Sequence, residues 1–380
     1  YWHRFFYHQP DLNFDNPEVQ KEMMRIVQYW IDLGVDAIRV DAPPYLYERE
    51  GTNCENLPET HAYYKRLRAF VESYAPGTLL LAEANQWPEE TIKYFGDSDE
   101  FHMNFHFPLM PRLFMALAKG DRTPIDEILA RTPKLPKNCQ WGIFLRNHDE
   151  LTLEMVTEEE RQFMWEFYAN DPEMRLNLGI RRRLAPLLDN DQRKIRLMHS
   201  LLLSFMGSPV LYYGDEIGMG DNINLRDRDG VRTPMQWDDT ENAGFSTVEP
   251  EKIRIPVIDD PVYGFKTLNV KSALEDPASL LNWLKVMILI HKQHPVFGEG
   301  SSRLCSPKNK AILAYLRETE LEQVLIVANF SSEKQVASLK EMCIQQKELV
   351  DILNFNLPVM LEDSILELDA YSFRWLKVGL

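Results

Sequence analysis

Cysteine is scarce in this chain: among 380 residues there are four, Cys54, Cys139, Cys305 and Cys343, and none forms a C-x-x-C pair. Such spacing argues against a zinc knuckle or a disulfide framework. It predicts reduced thiols and hence a cytoplasmic protein. Also lacking is any uninterrupted apolar stretch long enough to span a bilayer. Positive charge is in deficit, with 42 Lys and Arg against 58 Asp and Glu for a net charge of −16. That balance argues against nucleic acid and against an anionic membrane as partners, because phosphate contacts need clustered cations. There is no internal repeat and no low-complexity tract. What is present, 44% hydrophobic and 26% charged residues, describes an ordinary globular protein large enough for more than one domain.

The pattern along the chain is alternation. Asn16-Pro17-Glu18 is a helix start: a capping side chain, Pro at the first helical position, then an acid against the helix dipole. Val19, Met23, Ile26, Val27 and Trp30 follow at helical spacing, and Gly34 closes the helix. Strands are predicted at Val35–Val40, Leu79–Ala82, Phe101–Phe107, Trp141–Arg146 and Pro209–Tyr213. Helices are predicted over 58–74, 88–95, 110–118, 125–131, 157–168 and 192–205. Five strand–helix alternations are the signature of a parallel sheet with helical crossovers. A long irregular loop runs to about Pro261, a length that usually signals function. A helix over 277–292 closes this region. Beyond His294-Pro295 short alternating strands, 312–316, 323–330 and 371–376, predict a small antiparallel β domain. Five units are too few for a closed eight-stranded barrel. Because Tyr1-Trp2-His3-Arg4-Phe5-Phe6 reads as the interior of a loop, with no initiator Met, three further units are expected upstream; a five-stranded open sheet is the alternative.

Three carboxylates fall at or just past apolar runs. Asp41 closes Val35–Val40, Glu83 closes Leu79–Ala82, and Asp149 follows Trp141–His148. Acids delivered by successive strand ends build active sites in parallel α/β barrels. Two of them facing one bond are equipped for acid/base and nucleophilic cleavage of a glycosidic linkage. Residues two apart on a strand share a face, so Arg39 is placed to hold Asp41 ionised; a structural ion pair is the plainer reading. Glu83, among leucines, suits a general acid that stays protonated near neutrality; alone, a helix-capping Glu is the plainer reading. Asn147-His148-Asp149 adds two hydrogen-bonding side chains and a third acid. His102 and His106 have no matching Glu or Cys cluster for zinc and read as packed residues. Arg181-Arg182-Arg183 reads as a solvated or salt-bridged face. Trp87, Phe105, Trp141, Tyr212, Tyr213 and Trp237 are singly core candidates and together a means of stacking sugar rings.

In combination the motifs are far more specific. Asp36-Ala37-Ile38-Arg39-Val40-Asp41, Leu81-Ala82-Glu83 and Leu145-Arg146-Asn147-His148-Asp149, in that order, resemble signature regions of the α-amylase superfamily of retaining glycosidases and transglycosidases. Gly207–Gly218 resembles its last barrel strand and loop, and Arg232-Thr233-Pro234-Met235-Gln236-Trp237-Asp238 its α-glucosidase-like branch. Gly51–His61, Tyr1–Asn16 and Asn138–Val156 resemble a branch that isomerises maltose to trehalose. The resemblance runs essentially from Tyr1 to Leu380. It implies an α/β fold, the C-terminal portion (about five βα units) of a TIM (β/α)8 barrel plus a C-terminal antiparallel β domain. Residues 1–15 would be a remnant of the loop domain inserted after barrel strand 3, residues 16–297 barrel strands 4–8, and residues 298–380 a C-terminal β-sandwich.

The implied activity is intramolecular transglucosylation of maltose to trehalose through a covalent β-glucosyl-aspartate, with minor hydrolysis to glucose. An α-glucosidase, or a catalytically silent sugar-binding relic, is the alternative. Asp41 would be the nucleophile, Glu83 the acid/base and Asp149 the transition-state stabiliser, with Arg39, His148 and Arg232 on substrate. The resemblance also implies a structural calcium held by Asp11 and Glu48 with the carbonyls of Tyr45 and Leu46, hard oxygen donors suited to it, and no organic cofactor. It leaves a homo-oligomer and a maltokinase partner open. The family's first signature region, with its Asp and His, and a calcium-ligating Asn are absent from these residues, so this chain by itself is expected to be weakly active or inactive.

Overall fold

The computed structural model describes residues 1–342, 344, 348–354, 356–359 and 364–379. Within them the chain divides into two compact units, one of Tyr1–Pro108 with Ala130–Gly142, the other of Leu109–Leu129 with Ile143–Leu380. Cys54, Cys139 and Cys305 form no disulfide among the described residues; Cys343 lies outside them. No helix among the described residues is long and apolar enough to cross a membrane.

The first unit opens with helix α1 (Pro17–Asp32), whose cap Asn16 accepts from the backbone N–H of Glu18, and Gly34 follows it at φ 95°. Then come strand β1 (Ala37–Val40), helix α2 (Pro58–Tyr74), strand β2 (Leu79–Ala82) and the short helix α3 (Pro88–Thr91), continued by a 3₁₀ turn. Strand β3 (Met103–Phe105) and the first part of strand β4 (Gln140–Phe144) complete the unit. The pairing is parallel, with Val40 opposite Ala82 and Asn104 opposite Trp141. Tyr63, Tyr64, Leu67 and Val71 of α2 pack with Leu80, Ala82, Tyr94 and Phe101 in the core. β3 is shorter than the predicted Phe101–Phe107, although the backbone N–H groups of His102 and His106, just outside it, still donate to the carbonyls of Leu80 and Gly142 at 3.0 Å each. His102 Nδ1 accepts from the Leu80 N–H at 3.0 Å, and His106 is buried against Trp141 with its Nε2 2.8 Å from Thr132 Oγ1. Both are packed residues, as the sequence suggests.

The second unit contains helices α4 (Leu109–Lys119), most of α5 (Thr123–Arg131) and α6 (Glu158–Tyr168), the last opened by a Thr157/Glu160 capping box. A small hairpin of β5 (Arg175–Leu176) and β6 (Gly179–Ile180) precedes the one-turn helix α7 (Leu184–Leu187) and the largely buried helix α8 (Gln192–Ser204). Strand β7 (Ser208–Val210) lies beside β4 in sheet order. A long loop of 3₁₀ turns then leads to α9 (Val270–Glu275), α10 (Leu280–Gln293) and α11 (Val296–Glu299).

The remaining strands are β8 (Ser301–Cys305), β9 (Ile312–Glu318), β10 (Gln323–Asn329), β11 (Gln335–Ser338), β12 (Leu349–Asp351), β13 (Leu357–Pro358), β14 (Ile365–Leu368) and β15 (Phe373–Val378). They form an antiparallel six-stranded sheet, β13-β12-β15-β10-β9-β8, and a β11–β14 pair, with Leu316, Leu325, Val327, Leu366 and Leu376 buried between them.

The boundary expected at 297/298 falls inside α11, three residues before the first antiparallel strand, and there is no gap in packing across it. Arg317, on β9, is fully buried and donates to the carbonyls of Ser204 and Phe205 at 2.8 Å each, of Phe297 at 2.8 Å and of Gly300 at 2.9 Å. Trp375 Nε1 donates to Ser200 Oγ at 2.9 Å, and Phe205 stacks on Tyr315. The ends of α8 and α11 and the terminal sheet therefore share one packed interior, and the contact boundary falls elsewhere.

Candidate active site

Two strand-end carboxyls lie together in the first unit. Asp41 follows β1 and Glu83 follows β2, and the parallel register carries both one step beyond the Val40–Ala82 pair. The Glu83 N–H donates to the Val40 carbonyl at 3.0 Å, extending the ladder to this residue. Arg39 lies between the two acids. Its Nη1 donates to Asp41 Oδ1 at 2.9 Å and its Nη2 is ion-paired with Glu83 Oε2. The environments are opposite: the Asp41 side chain is 75% exposed and that of Glu83 only 15%. Burial pushes the Glu83 carboxyl up to about 8, and a hydrogen bond to Asp41 adds to the effect, while Arg39 pulls the other way. Glu83 is therefore a carboxylic acid at neutral pH. Asp41 is followed by Ala42 in the left-handed region, φ 47° and ψ 45°, and then by Pro43-Pro44. A residue with a Cβ seldom adopts that conformation, so the turn behind the exposed acid is firmly specified.

The second unit holds the other cluster. Asp149 Oδ1 takes two guanidiniums, Arg228 Nε at 2.8 Å and Arg232 Nη2 at 2.7 Å. Arg232 Nε also donates to the His148 carbonyl at 2.7 Å, and His148 Nε2 lies 3.4 Å from Asp149 Oδ2. The Asn147 side chain accepts from the Asp149 N–H at 3.0 Å. Arg146, fully buried, donates to the carbonyls of Asp149 at 2.7 Å and Arg182 at 2.6 Å, and burial lowers its guanidinium to about 10. Arg228 was not singled out from the sequence. It also binds Glu150 at 2.9 Å, and the only sequence signal for it is the charge alternation Arg226-Asp227-Arg228-Asp229 in the long loop.

Of the two readings of Arg181-Arg182-Arg183, a solvated or a salt-bridged face, the salt-bridged one holds, with pairs to Glu173, Asp221 and Asp215. Arg181 and Arg183 are buried. Arg181 donates to the carbonyls of Ile223, Leu225 and Asp227, and Arg182 binds Asp221 at 2.9 Å. Arg183 lies over the rings of Tyr212 and Tyr213 and 3.4 Å from Asp215. Burial raises the Asp215 carboxyl to about 7 against the pull of Arg183 and Arg146. Arg181 and Arg183 brace the long loop by satisfying its backbone carbonyls and Arg182 by pairing with Asp221, which composition alone does not reveal. Of the aromatics, Trp141 is core, whereas Tyr213 and Trp237 are exposed.

The expected metal ligands lie in the first unit. Glu48 Oε1 is buried with no hydrogen-bond partner among the described residues. Burial raises the Glu48 carboxyl, and neighbouring Asp11 and Asp15 raise it further. Tyr45 and Leu46 end the Pro43–Tyr45 turn, outside any helical ladder. An orphaned carboxylate oxygen among other acids fits a hard divalent cation.

A parallel strand–helix sheet with acids at its strand ends, leading into an antiparallel β region, is the build of a (β/α) catalytic domain of the carbohydrate-active kind. The chain belongs to the α-amylase family: the alpha amylase catalytic domain matches residues 1–169 and 180–300, and the maltogenic amylase C-terminal domain residues 303–375. It is 57% identical over 346 residues to trehalose synthase/amylase TreS of Mycobacterium tuberculosis, a match covering 89% of this chain and 58% of that protein. It is 52% identical over 393 residues to the trehalose synthase of Pimelobacter sp., covering 100% and 69%, and 54% identical over 341 residues to that of Thermus thermophilus, covering 89% and 35%. The chain thus spans from about a third to about two thirds of the length of these relatives. Among solved structures, an alpha-amylase from H. orenii matches with a TM-score of 0.75 at 21% identity, covering 100% of this chain and 68% of that one. The isomaltulose synthase SmuA from Protaminobacter rubrum matches with a TM-score of 0.72 at 21% identity, covering 100% and 71%. These structures show the fold.

Proposed function

We propose that this chain carries the catalytic groups of a maltose–trehalose isomerase working by double displacement. Glu83, protonated, gives its proton to the glycosidic oxygen of maltose while Asp41 attacks the anomeric carbon. The bond to the leaving glucose breaks and a β-glucosyl–Asp41 ester forms. Glu83, now a carboxylate, takes the proton of the anomeric hydroxyl of the retained glucose. That oxygen attacks C1 of the bound glucosyl unit, the C1–O bond to the Asp41 carboxylate breaks, and the product is α,α-1,1-linked trehalose. Two inversions retain configuration, and acid/base help of this kind is worth roughly 10²–10⁴-fold. Asp149, with His148 and Arg232, is assigned to the sugar hydroxyls. One observation carries the reading: Arg39 joins an exposed carboxylate to a buried carboxylic acid raised to about 8. The naming of relatives at 52–57% identity as trehalose synthases supports trehalose as product.

A hydrolytic second reading is favoured by the open surroundings of Asp41, whose side chain is 75% exposed. Water reaching the ester releases glucose, and exclusion of water separates isomerase from hydrolase. The test is to incubate the protein with maltose and read the products, and in parallel to trap the ester with a 5-fluoro-glucosyl fluoride and map the labelled peptide. A low yield of trehalose with label on Asp41 is the expected result, and robust trehalose formation would overturn the expectation that this chain is weakly active or inactive by itself. Glucose alone supports the hydrolase, sugar binding without turnover a silent relic, and label on another residue sinks the assignment of Asp41.

Calcium belongs to the same proposal. Asp11 and Glu48, with the carbonyls of Tyr45 and Leu46, would hold the ion, which when bound supplies positive charge to the buried Glu48 oxygen and fixes the segment behind Asp41.

A further inference from the structure

The segment Gly51–His61 supplies no group to the proposed chemistry, yet it is folded against the turn that delivers Asp41. That turn leaves β1 through Ala42, in the left-handed region, and Pro43-Pro44. A side chain that is 75% exposed takes little direction from packing, so the backbone behind Asp41 sets where its carboxylate stands. Proline has no N–H to donate, and the turn closes on itself through the Tyr45 N–H, which donates to the Ala42 carbonyl at 3.3 Å. Pro43 and Pro44 are both buried, and their carbonyls need donors from other segments.

Two donors meet them. The Tyr64 hydroxyl, on α2, donates to the Pro43 carbonyl at 3.3 Å. The Asn56 N–H donates to the Pro44 carbonyl at 3.0 Å. Asn56 is itself held, because its Oδ1 accepts from the Tyr94 hydroxyl at 2.6 Å. Tyr94 and Tyr64 are both buried, and their rings pack on Phe101 at centroid distances of 6.3 Å and 4.8 Å. His61, at the end of the same segment, lies 4.7 Å from the Tyr94 ring. Burial pushes both phenols up, so each hydroxyl keeps its proton and remains a donor across the working pH range.

The segment reaches this arrangement at a conformational cost. Cys54 and Asn56 are left-handed, at φ 59° and 53°, and neither is a glycine. Strain of this kind persists where the surrounding structure over-determines it, commonly near functional groups. Here the bond from Tyr94 fixes the second of the two residues. Two aromatic side chains rooted in one core thus grip consecutive carbonyls of the turn that carries Asp41.

We propose that Tyr64 and Tyr94, the latter through Asn56, are positioning residues that hold the Asp41 carboxylate where it can reach the anomeric carbon. The inference rests on the reading of Asp41 as nucleophile. Misplacing a reacting group by about 1 Å can cost on the order of 10²-fold in rate.

The test is the kinetics of Asp41 labelling by a 5-fluoro-glucosyl fluoride. An Asp41 oxygen attacks C1, the C1–F bond breaks and fluoride departs with the electron pair. Fluoride needs little help from an acid, so the reaction reads the nucleophile apart from Glu83. The expected result is a maximal labelling rate lowered about tenfold by Tyr94→Phe and by Tyr64→Phe, with the half-saturating reagent concentration moved by no more than about twofold, since misplacement costs rate and not binding. Asn56→Asp retains the acceptor oxygen and should label near the unsubstituted rate. Asn56→Gly retains the left-handed backbone and the N–H without the acceptor, and should be as slow as Tyr94→Phe. Rates are read well below each melting temperature, where a merely structural role would leave them unmoved. A rate unchanged by both tyrosine substitutions, or equal in Asn56→Asp and Asn56→Gly, overturns the positioning role and leaves Asp41 as nucleophile. Should Tyr94→Phe fail to fold, Tyr64→Phe and the two Asn56 variants decide. Label on another residue, or on none, in the unsubstituted protein overturns the assignment of Asp41 and the positioning role together.

Discussion

The carboxyl of Glu83 is hydrogen-bonded to that of Asp41, and one guanidinium, that of Arg39, contacts both. This divides the labour of two chemically similar groups by environment alone. The buried member is raised to about 8, mainly by burial, while the other stays open to solvent. An acid and a nucleophile are thereby distinguished before any substrate arrives.

The protonated form of Glu83 is the one the proposed first step uses. kcat/KM on maltose should therefore fall as pH rises through about 8. A pH–rate profile with no fall near that value would remove Glu83 from the acid role.

The same shift has a stability consequence of definite sign. The folded carboxyl holds its proton between the ordinary 4.5 and about 8, so it favours the folded state most at the acid end and loses that contribution as pH rises through this window. Glu83→Gln removes the titration. Its melting temperature should gain on the unsubstituted protein between pH 6 and pH 9, a comparison that calorimetry at the two pH values makes directly.

Arg39 lowers the Glu83 carboxyl and pairs with Asp41. Arg39→Ala should cost about 10²–10³-fold in kcat/KM and move the alkaline limb of whatever activity remains above that of the unsubstituted protein. Loss of rate with an unmoved limb would show that Arg39 acts on substrate and not through Glu83.

Calcium at Asp11 and Glu48 should appear as a difference in melting temperature between calcium and chelator. A ligand bound only by the folded state stabilises by about 2.7 kcal/mol at 100 times its Kd. Glu48→Gln should abolish most of the difference. A chelator-insensitive melting temperature in the unsubstituted protein would dispose of the site.

The helix starts and the strand-end acids were legible in the sequence because they depend on local rules. Asn16-Pro17 caps α1 as written, and Asp41 and Glu83 follow apolar runs whose parallel pairing puts them side by side. Much of the terminal sheet was not legible. β13 spans two residues and β12 three, too short for any period to show. Nor was the burial of Arg146, Arg181, Arg183 and Arg317. A guanidinium in sequence reads as surface, and what permits its burial is a set of backbone carbonyls delivered by distant segments, as Ile223, Leu225 and Asp227 are to Arg181. Arg228 escaped notice for the same reason, since its meaning lies in Asp149 and Glu150, more than seventy residues away.

Arg317 sets a limit on how this polypeptide can be dissected. Four carbonyls, from Ser204, Phe205, Phe297 and Gly300, depend on that one side chain. A gene trimmed to end at residue 297 would strip the helical part of its donors and uncover Phe205 and Phe297, inviting precipitation instead of yielding a minimal enzyme. Designers seeking a smaller version would do better to shorten the irregular loop than to discard the tail.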